Sequence, residues 1–297
     1  MNNASQSRRL RELLADHTVM LPGAFNALTG RLIEREGFEA LYVSGAVLAN
    51  AVGGVPDIGL MTLTELRDHC QHIAAATTLP ILADADTGFG GPENAARTVQ
   101  VLEAAGVSAL HLEDQEFPKR CGHLEGKRLV PINEMVEKLR AAAEARTSPD
   151  FLLIARTDAR GVAGYDEAVQ RAHAYLAAGA DGIFPEALAS REEFARFAKD
   201  VPTILLANMT EFGKTPQLSA DAFAALGFKL VIYPVTLLRI ALKSVADSLR
   251  ILRASRSAEP LLDRMLTRQE LYDLLGYQPD APWRGGERSR PPRSSDR

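Results

Sequence analysis

Pro80-Ile81-Leu82-Ala83-Asp84-Ala85-Asp86-Thr87-Gly88 opens the stretch whose reading decides the fold. An apolar run over residues 80–83 breaks into two carboxylates and a glycine. An alanine-rich amphipathic pattern then covers residues 91–105, stops at Gly106 and gives way to a second apolar run, 109–113. A strand, a helix closed by glycine and another strand make one right-handed βαβ unit, which requires parallel strands.

The same alternation extends in both directions. Strand-like runs occupy residues 19–24, 40–44, 151–156, 182–185, 203–207 and 230–233, with helical patterns at 132–146, 166–178, 191–200 and 220–226. The stop at Glu103-Ala104-Ala105-Gly106 recurs at Leu176-Ala177-Ala178-Gly179. Eight strands within 297 residues favour a closed (β/α)8 TIM-type barrel over an open sheet. No Gly-x-Gly-x-x-Gly follows the first strand, which argues against a dinucleotide fold. Residues 237–253 and 260–275 read as two extra helices. Residues 1–277 are thus expected to form one barrel domain with C-terminal helices. Residues 278–297, rich in Pro, Arg, Ser and Gly, are expected to be a disordered tail without a catalytic role.

A hydrophobic fraction of 46% beside 24% charged residues fits a soluble chain with a sizeable core. With 34 basic and 38 acidic side chains, the net charge of -4 offers no field for nucleic acid or anionic membrane. The start of the chain lacks the apolar core of a secretory signal, and no run is long enough to cross a bilayer. Two cysteines, Cys70 and Cys121, make no disulfide framework. The expectation is a cytoplasmic protein acting on a small molecule.

Barrel enzymes carry their chemistry at the carboxyl ends of the strands. Those ends hold Ser44-Gly45-Ala46, Asp84 and Asp86, Glu113-Asp114, Arg156-Thr157-Asp158, Glu186 and Asn208-Met209-Thr210. If strand geometry persists, Asp84 and Asp86 point to one side. With Glu113 they form an all-oxygen set suited to Mg2+, with Mn2+ as the alternative. Asp57 and Asp114 fit either an outer supporting place or a purely structural one.

In Lys119-Arg120-Cys121-Gly122-His123 a thiol lies among cations, which favour thiolate, and Gly122 lets backbone approach a ligand. Cys121 and His123 do not match the oxygen ligands, so they read as acid/base or binding groups. Cys70, inside a helical pattern, reads as structural; so do His17, His69, His72, His111 and His173, in the core or at the surface. Arg156, Arg239 and Arg268 are candidate carboxylate forks, with Asn208 and Thr210 as neutral donors.

Lys119–His123, Asp84–Gly90 and the stretch from Asn208 to Gly213 together resemble the isocitrate lyase/phosphoenolpyruvate mutase superfamily, over about residues 10–277. The cysteine in Lys-Arg-Cys-Gly-His points to its lyase branch. The resemblance implies Mg2+-dependent cleavage of (2S,3R)-2-methylisocitrate, a tricarboxylate, to pyruvate and succinate. That step belongs to propionate breakdown by the methylcitrate cycle. It also implies a homotetramer with C-terminal helices swapped between barrels. The ligand positions it implies are Ser44, Gly45, Ala46, Asp84, Asp86, Cys121, Gly122, Arg156, Glu186, Asn208, Thr210, Arg239 and Arg268. Met209, inside that motif, joins the substrate-binding set.

At Ala46 the family often has glycine, which puts fine specificity in question. Cys121 is the expected general acid, with Lys119 and His123 beside it; Tyr42 is the preferred base and Glu186 the alternative. Competing readings are an isocitrate lyase, a 2-oxo acid decarboxylase or hydrolase, and a barrel that binds metabolites without catalysis.

Overall fold

The computed structural model describes residues 3–120, 122, 124–213, 215–280 and 282. Eight strands form one parallel sheet: β1 (Val19–Pro22), β2 (Leu41–Val43), β3 (Ile81–Asp84), β4 (Ala109–Glu113), β5 (Leu152–Thr157), β6 (Gly182–Pro185), β7 (Ile204–Asn208) and β8 (Leu230–Tyr233). From β2 to β8 each strand pairs with the next in sequence, and β8 pairs with β1. Ala24 N donates to Tyr42 O at 2.9 Å, and with the Gly23–Tyr42 bridge this closes the seam between β1 and β2. The chain is therefore a (β/α)8 barrel, as the alternation predicts.

Strand alternation sorts side chains into two cores. Val19, Leu21, Tyr42, Leu82, Ala109, Leu152, Ile154, Phe184, Leu206 and Ile232 fill the barrel. Their neighbours, among them Val43, Ala83, Leu112, Ala155 and Val231, pack outward against the helices. A helix over Asn3–Asp16, not anticipated above, sends Leu10 and Leu14 into the inner core. Each such buried leucine stabilises the fold by about 1.5–3 kcal/mol.

Gly106 (φ +98°) and Gly179 (φ +105°) end their helices in the left-handed region, as expected of glycine stops. The helix read over 260–275 is in fact two pieces, a 3-10 turn Glu259–Arg264 and a helix Arg268–Leu275. Thr267 caps the second piece in a reciprocal box with Glu270, so the chain restarts there. Among the described residues no helix is long and apolar enough to cross a membrane. Most of the tail, like Cys121 and His123, lies outside the described residues.

Candidate active site

The inward positions at the carboxyl ends of the strands are polar. Asp84 on β3, Glu113 on β4, Arg156 on β5, Glu186 after β6 and Asn208 on β7 stand above the apolar filling. Beneath them lies an aromatic layer. Tyr42 OH and His111 Nε2 are 2.7 Å apart, and His111 meets Phe184 edge to face at 5.3 Å. His111, expected to be a bystander, thus forms the floor of the site, with Nδ1 3.8 Å from Asp84 Oδ1. Burial lowers its pKa to about 4, so the ring is neutral at pH 7.

Arg156 is the hub. Its Nε and Nη2 donate to the two Asp158 oxygens at 3.0 and 3.2 Å. Nη1 lies 3.0 Å from Glu113 Oε2, and the guanidinium sits 5.2 Å from the Phe184 ring centre. Burial works against its charge, yet Asp158, Glu113, Glu186 and Asp84 hold it above its ordinary pKa. Glu186 Oε2 accepts from Asn208 Nδ2 at 3.3 Å, and Asn208 Oδ1 accepts from Thr210 N at 3.1 Å. Asp158, overlooked as a site residue, also binds Lys127 Nζ at 2.7 Å. Asp114 is its anchor: it accepts from Asp158 N, Thr157 Oγ1 and Tyr175 OH and pairs with Arg171, which makes its place structural.

The loop after β4 folds onto this hub. Lys127 Nζ hydrogen bonds to Gly122 O while holding Asp158. A Cβ on Gly122 would lie 2.5 Å from Arg156 Nη2 and 2.7 Å from Glu186 Cδ, so only glycine fits.

The two β3 aspartates do converge, but not by strand geometry. The strand ends at Asp84, and Asp86 has φ +46°. Asp86 N donates to Asp84 Oδ1 at 3.0 Å, and Gly45 N donates to Asp84 Oδ2 at 3.2 Å. A Cβ on Gly45 would press on both carboxylates, at 3.1 and 3.2 Å, so glycine keeps the space between them open. Ser44 caps the turn that presents Gly45 and Ala46, its Oγ accepting from Val47 N at 3.4 Å.

Burial opposes charge on Asp84, but His111, Lys119 and Arg156 hold its pKa below the usual range. Burial, followed by the Asp84 charge, pushes Asp86 up to about 6. Glu113 is pushed well above its ordinary value by burial, and its Oε1 accepts no hydrogen bond from the described residues.

This cluster fits a hard dication: the donors are oxygens, two crowded carboxylates gain from a cation, and the gap at Gly45 is open. The third expected carboxylate, Glu113, adjoins this pair from the neighbouring strand. Glu113 is turned to Arg156, and no three His, Cys, Asp or Glu among the described residues form a ready cage. Asp84 and Asp86 are the carboxylates that would hold such an ion, which ordinarily keeps several waters.

Other expectations are revised. Lys119, buried, binds Asp57 and lies 2.7 Å from Asp86; four acids hold its ammonium charged against burial, so it clamps the loop. Met209 points outward into the core, because it follows the inward-facing Asn208. Arg239 is part exposed at the rim, paired with Glu211 at 3.0 Å. Arg268 starts the exposed C-terminal helix, which packs on the helix Ala27–Arg35, and it does not join the cluster. Tyr42 is buried, and burial, followed by Asp84, raises its pKa well above 10.0, so it stays a neutral phenol.

A family model described as "Phosphoenolpyruvate phosphomutase" matches residues 10–253. The chain belongs to the phosphoenolpyruvate phosphomutase family. Among relatives in that family, a probable 2-methylisocitrate lyase 1 of Corynebacterium glutamicum is 54% identical, across 90% of this chain and 87% of that protein. The 2-methylisocitrate lyase of Aeropyrum pernix is 49% identical, across 90% and 86%. The crystal structure of a 2,3-dimethylmalate lyase superposes with TM-score 0.86 at 39% identity, covering 93% of this chain and 92% of that one. A phosphonopyruvate hydrolase in complex with oxalate and Mg2+ superposes with TM-score 0.82 at 31% identity, covering 93% and 95%.

Proposed function

We propose that this chain is a Mg2+-dependent lyase that cleaves (2S,3R)-2-methylisocitrate to pyruvate and succinate. The observation that carries the reading is the seating of Gly122 on Arg156 and Glu186, beside the Asp84–Asp86 pair. It joins a carboxylate-binding arginine, a metal-suited carboxylate pair and the cysteine-bearing loop in one site. The names of the relatives from Corynebacterium glutamicum and Aeropyrum pernix agree with it.

The reaction breaks the C2–C3 bond after the C2 hydroxyl loses its proton. Asp84 and Asp86, with Glu113 nearby, are the residues that would hold the dication, which would supply electrostatic stabilisation of the negative charge developing on the C2 oxygen. Arg156 binds a substrate carboxylate from a geometry already fixed by Asp158 and Glu113, so little reorganisation is needed. Asn208, Thr210 and the Ser44–Ala46 turn offer further hydrogen bonds. Where neutral His111 carries its proton on Nδ1, the Tyr42 hydroxyl donates to Nε2 and can pass its own proton there as it takes that of the substrate hydroxyl; Tyr42 stays the preferred base and Glu186 the alternative. Cys121, next to Gly122, is the acid that protonates C3 of the succinate fragment.

The helix Thr236–Ser255 leaves Ile240, Leu242, Val245 and Leu249 more than half exposed. An apolar face of this kind suits burial in a homotetramer, where exchanged C-terminal helices would carry Arg268 toward a neighbour's site while Arg239 stays at the rim of its own.

Pyruvate and glyoxylate release from 2-methylisocitrate and isocitrate, with Mg2+ and with chelator, tests the reading. Chelator-sensitive pyruvate release in excess of glyoxylate is expected. Glyoxylate in excess would make the chain an isocitrate lyase, and silence on both would sink the lyase assignment. Cys121→Ser is expected to abolish turnover while leaving substrate binding intact; near-normal turnover would overturn the acid role.

A further inference from the structure

A second cavity, about 810 Å3, opens beside the site, between the loops that follow β3 and β4. It touches the outer side of the Asp86–Lys119 pair, and none of Arg156, Glu186 and Asn208 lines it. One wall is apolar: Met61, Phe89 and Val130 line it, with Leu60 (54% exposed) and Phe117 (67% exposed) at the rim.

The lining also carries two cations, buried Lys138 and exposed Arg97. The Lys138 side chain is only 8% exposed, yet its nearest acceptors are Thr87 O at 3.5 Å and Glu134 Oε1 at 3.7 Å. Both are long for an ammonium, which ordinarily makes contacts of about 2.7–2.9 Å. Arg97, one α-helix away in sequence, makes no side-chain hydrogen bond or ion pair with the described residues. The other acids of the lining are engaged: Glu116 by Arg128 at 2.6 Å and Asp86 by Lys119 at 2.7 Å. A buried ammonium with spare donors is costly unless an acceptor completes it.

We propose that this cavity is a binding site for a small carboxylate with an apolar body. The carboxylate is held by Lys138 and Arg97, and the body lies against Met61, Phe89 and Val130. Charge complementarity selects an anion, and the apolar wall selects against compact inorganic ones. The site adjoins the reaction centre at Asp86 and Lys119, and its reading does not rest on the proposed activity.

Hexanoate is the probe, titrated in the millimolar range into the full chain labelled at methionine methyls, with the Met61 signal assigned through Met61→Leu. Hexanoate is expected to shift the Met61 methyl saturably and leave that of the outer-core Met209 in place. Lys138→Met and Arg97→Met are each expected to weaken binding by about tenfold or more, the loss of one charge-assisted hydrogen bond. Hexanol and inorganic phosphate are expected to bind more weakly by a similar factor. Arg97 lies on a helix surface, so its variant reports even if Lys138→Met fails to fold. No saturable shift, as when a neighbouring copy fills the cavity, overturns the proposal. So does binding of hexanol or phosphate as tight as hexanoate, or unchanged affinity in Arg97→Met. Because the readout uses no substrate, it stands apart from any failure of the lyase assay.

Discussion

Gly122→Ala tests the seating of the loop most directly. The added methyl would lie 2.5 Å from Arg156 Nη2 and 2.7 Å from Glu186 Cδ and Cγ, against ordinary contacts of about 3.5–4.0 Å. The shortfall is about 1 Å, and neither partner yields easily. Arg156 is forked onto Asp158 at 3.0 and 3.2 Å, and Gly122 O is hooked by Lys127, itself 2.7 Å from Asp158. If the loop stays seated, overpacking costs about 1–3 kcal/mol. If it lifts, the fold is spared but the groups it carries move about 1 Å, enough to lower turnover by about 100-fold. The expected result is kcat/KM for pyruvate release from 2-methylisocitrate reduced by about 100-fold, with a fall in Tm of no more than about 10 °C. A variant with kcat/KM within about twofold of the parent and an unchanged Tm would refute the reasoning.

Asp158→Asn leaves the buried Arg156 and Lys127 short of their shared counter-charge, so denaturant unfolding should report a loss of about 3–5 kcal/mol. Tyr42→Phe leaves His111 Nε2 without its partner at 2.7 Å, costing about 1–3 kcal/mol of stability, and removes turnover if Tyr42 is the base. The Cys70 thiol is pushed up to about 12 by burial, so an aromatic disulfide reagent at pH 8 should reach it only after denaturation. Its folded pKa exceeds the unfolded value of about 8.5. The stability it adds is therefore whole below that pH and is lost as pH rises toward 12; Cys70→Ala should flatten that alkaline decline.

The strands were legible because each is a short apolar run between turn residues, and β4, β6 and β8 begin and end where the pattern predicts. Met209 was misplaced although the sequence held the answer: it follows Asn208, and alternation turns it outward. The break before Arg268 was also written there, as the Thr267-x-x-Glu270 capping pattern. Lys119 could not be read. Its partner Asp57 is 62 residues away, and only the folded barrel shows that their charges cancel. His111 looked like an ordinary core residue because its strand neighbours are apolar; its partners come from β2, β3 and β6. Glu113 sat at the right strand end for a metal ligand, and only the fold shows that Arg156 on the adjacent strand lies 3.0 Å from its carboxylate.

Asp158 serves two masters, since one carboxylate both orients Arg156 and tethers the loop through Lys127. Loop position and arginine alignment are therefore one variable rather than two. Lifting the loop would take Lys127 from Asp158, so the charge balance that fixes Arg156 would change with it. Loop variants should accordingly change kcat and KM together, and attempts to speed turnover by loosening the loop alone would sacrifice alignment in the same stroke.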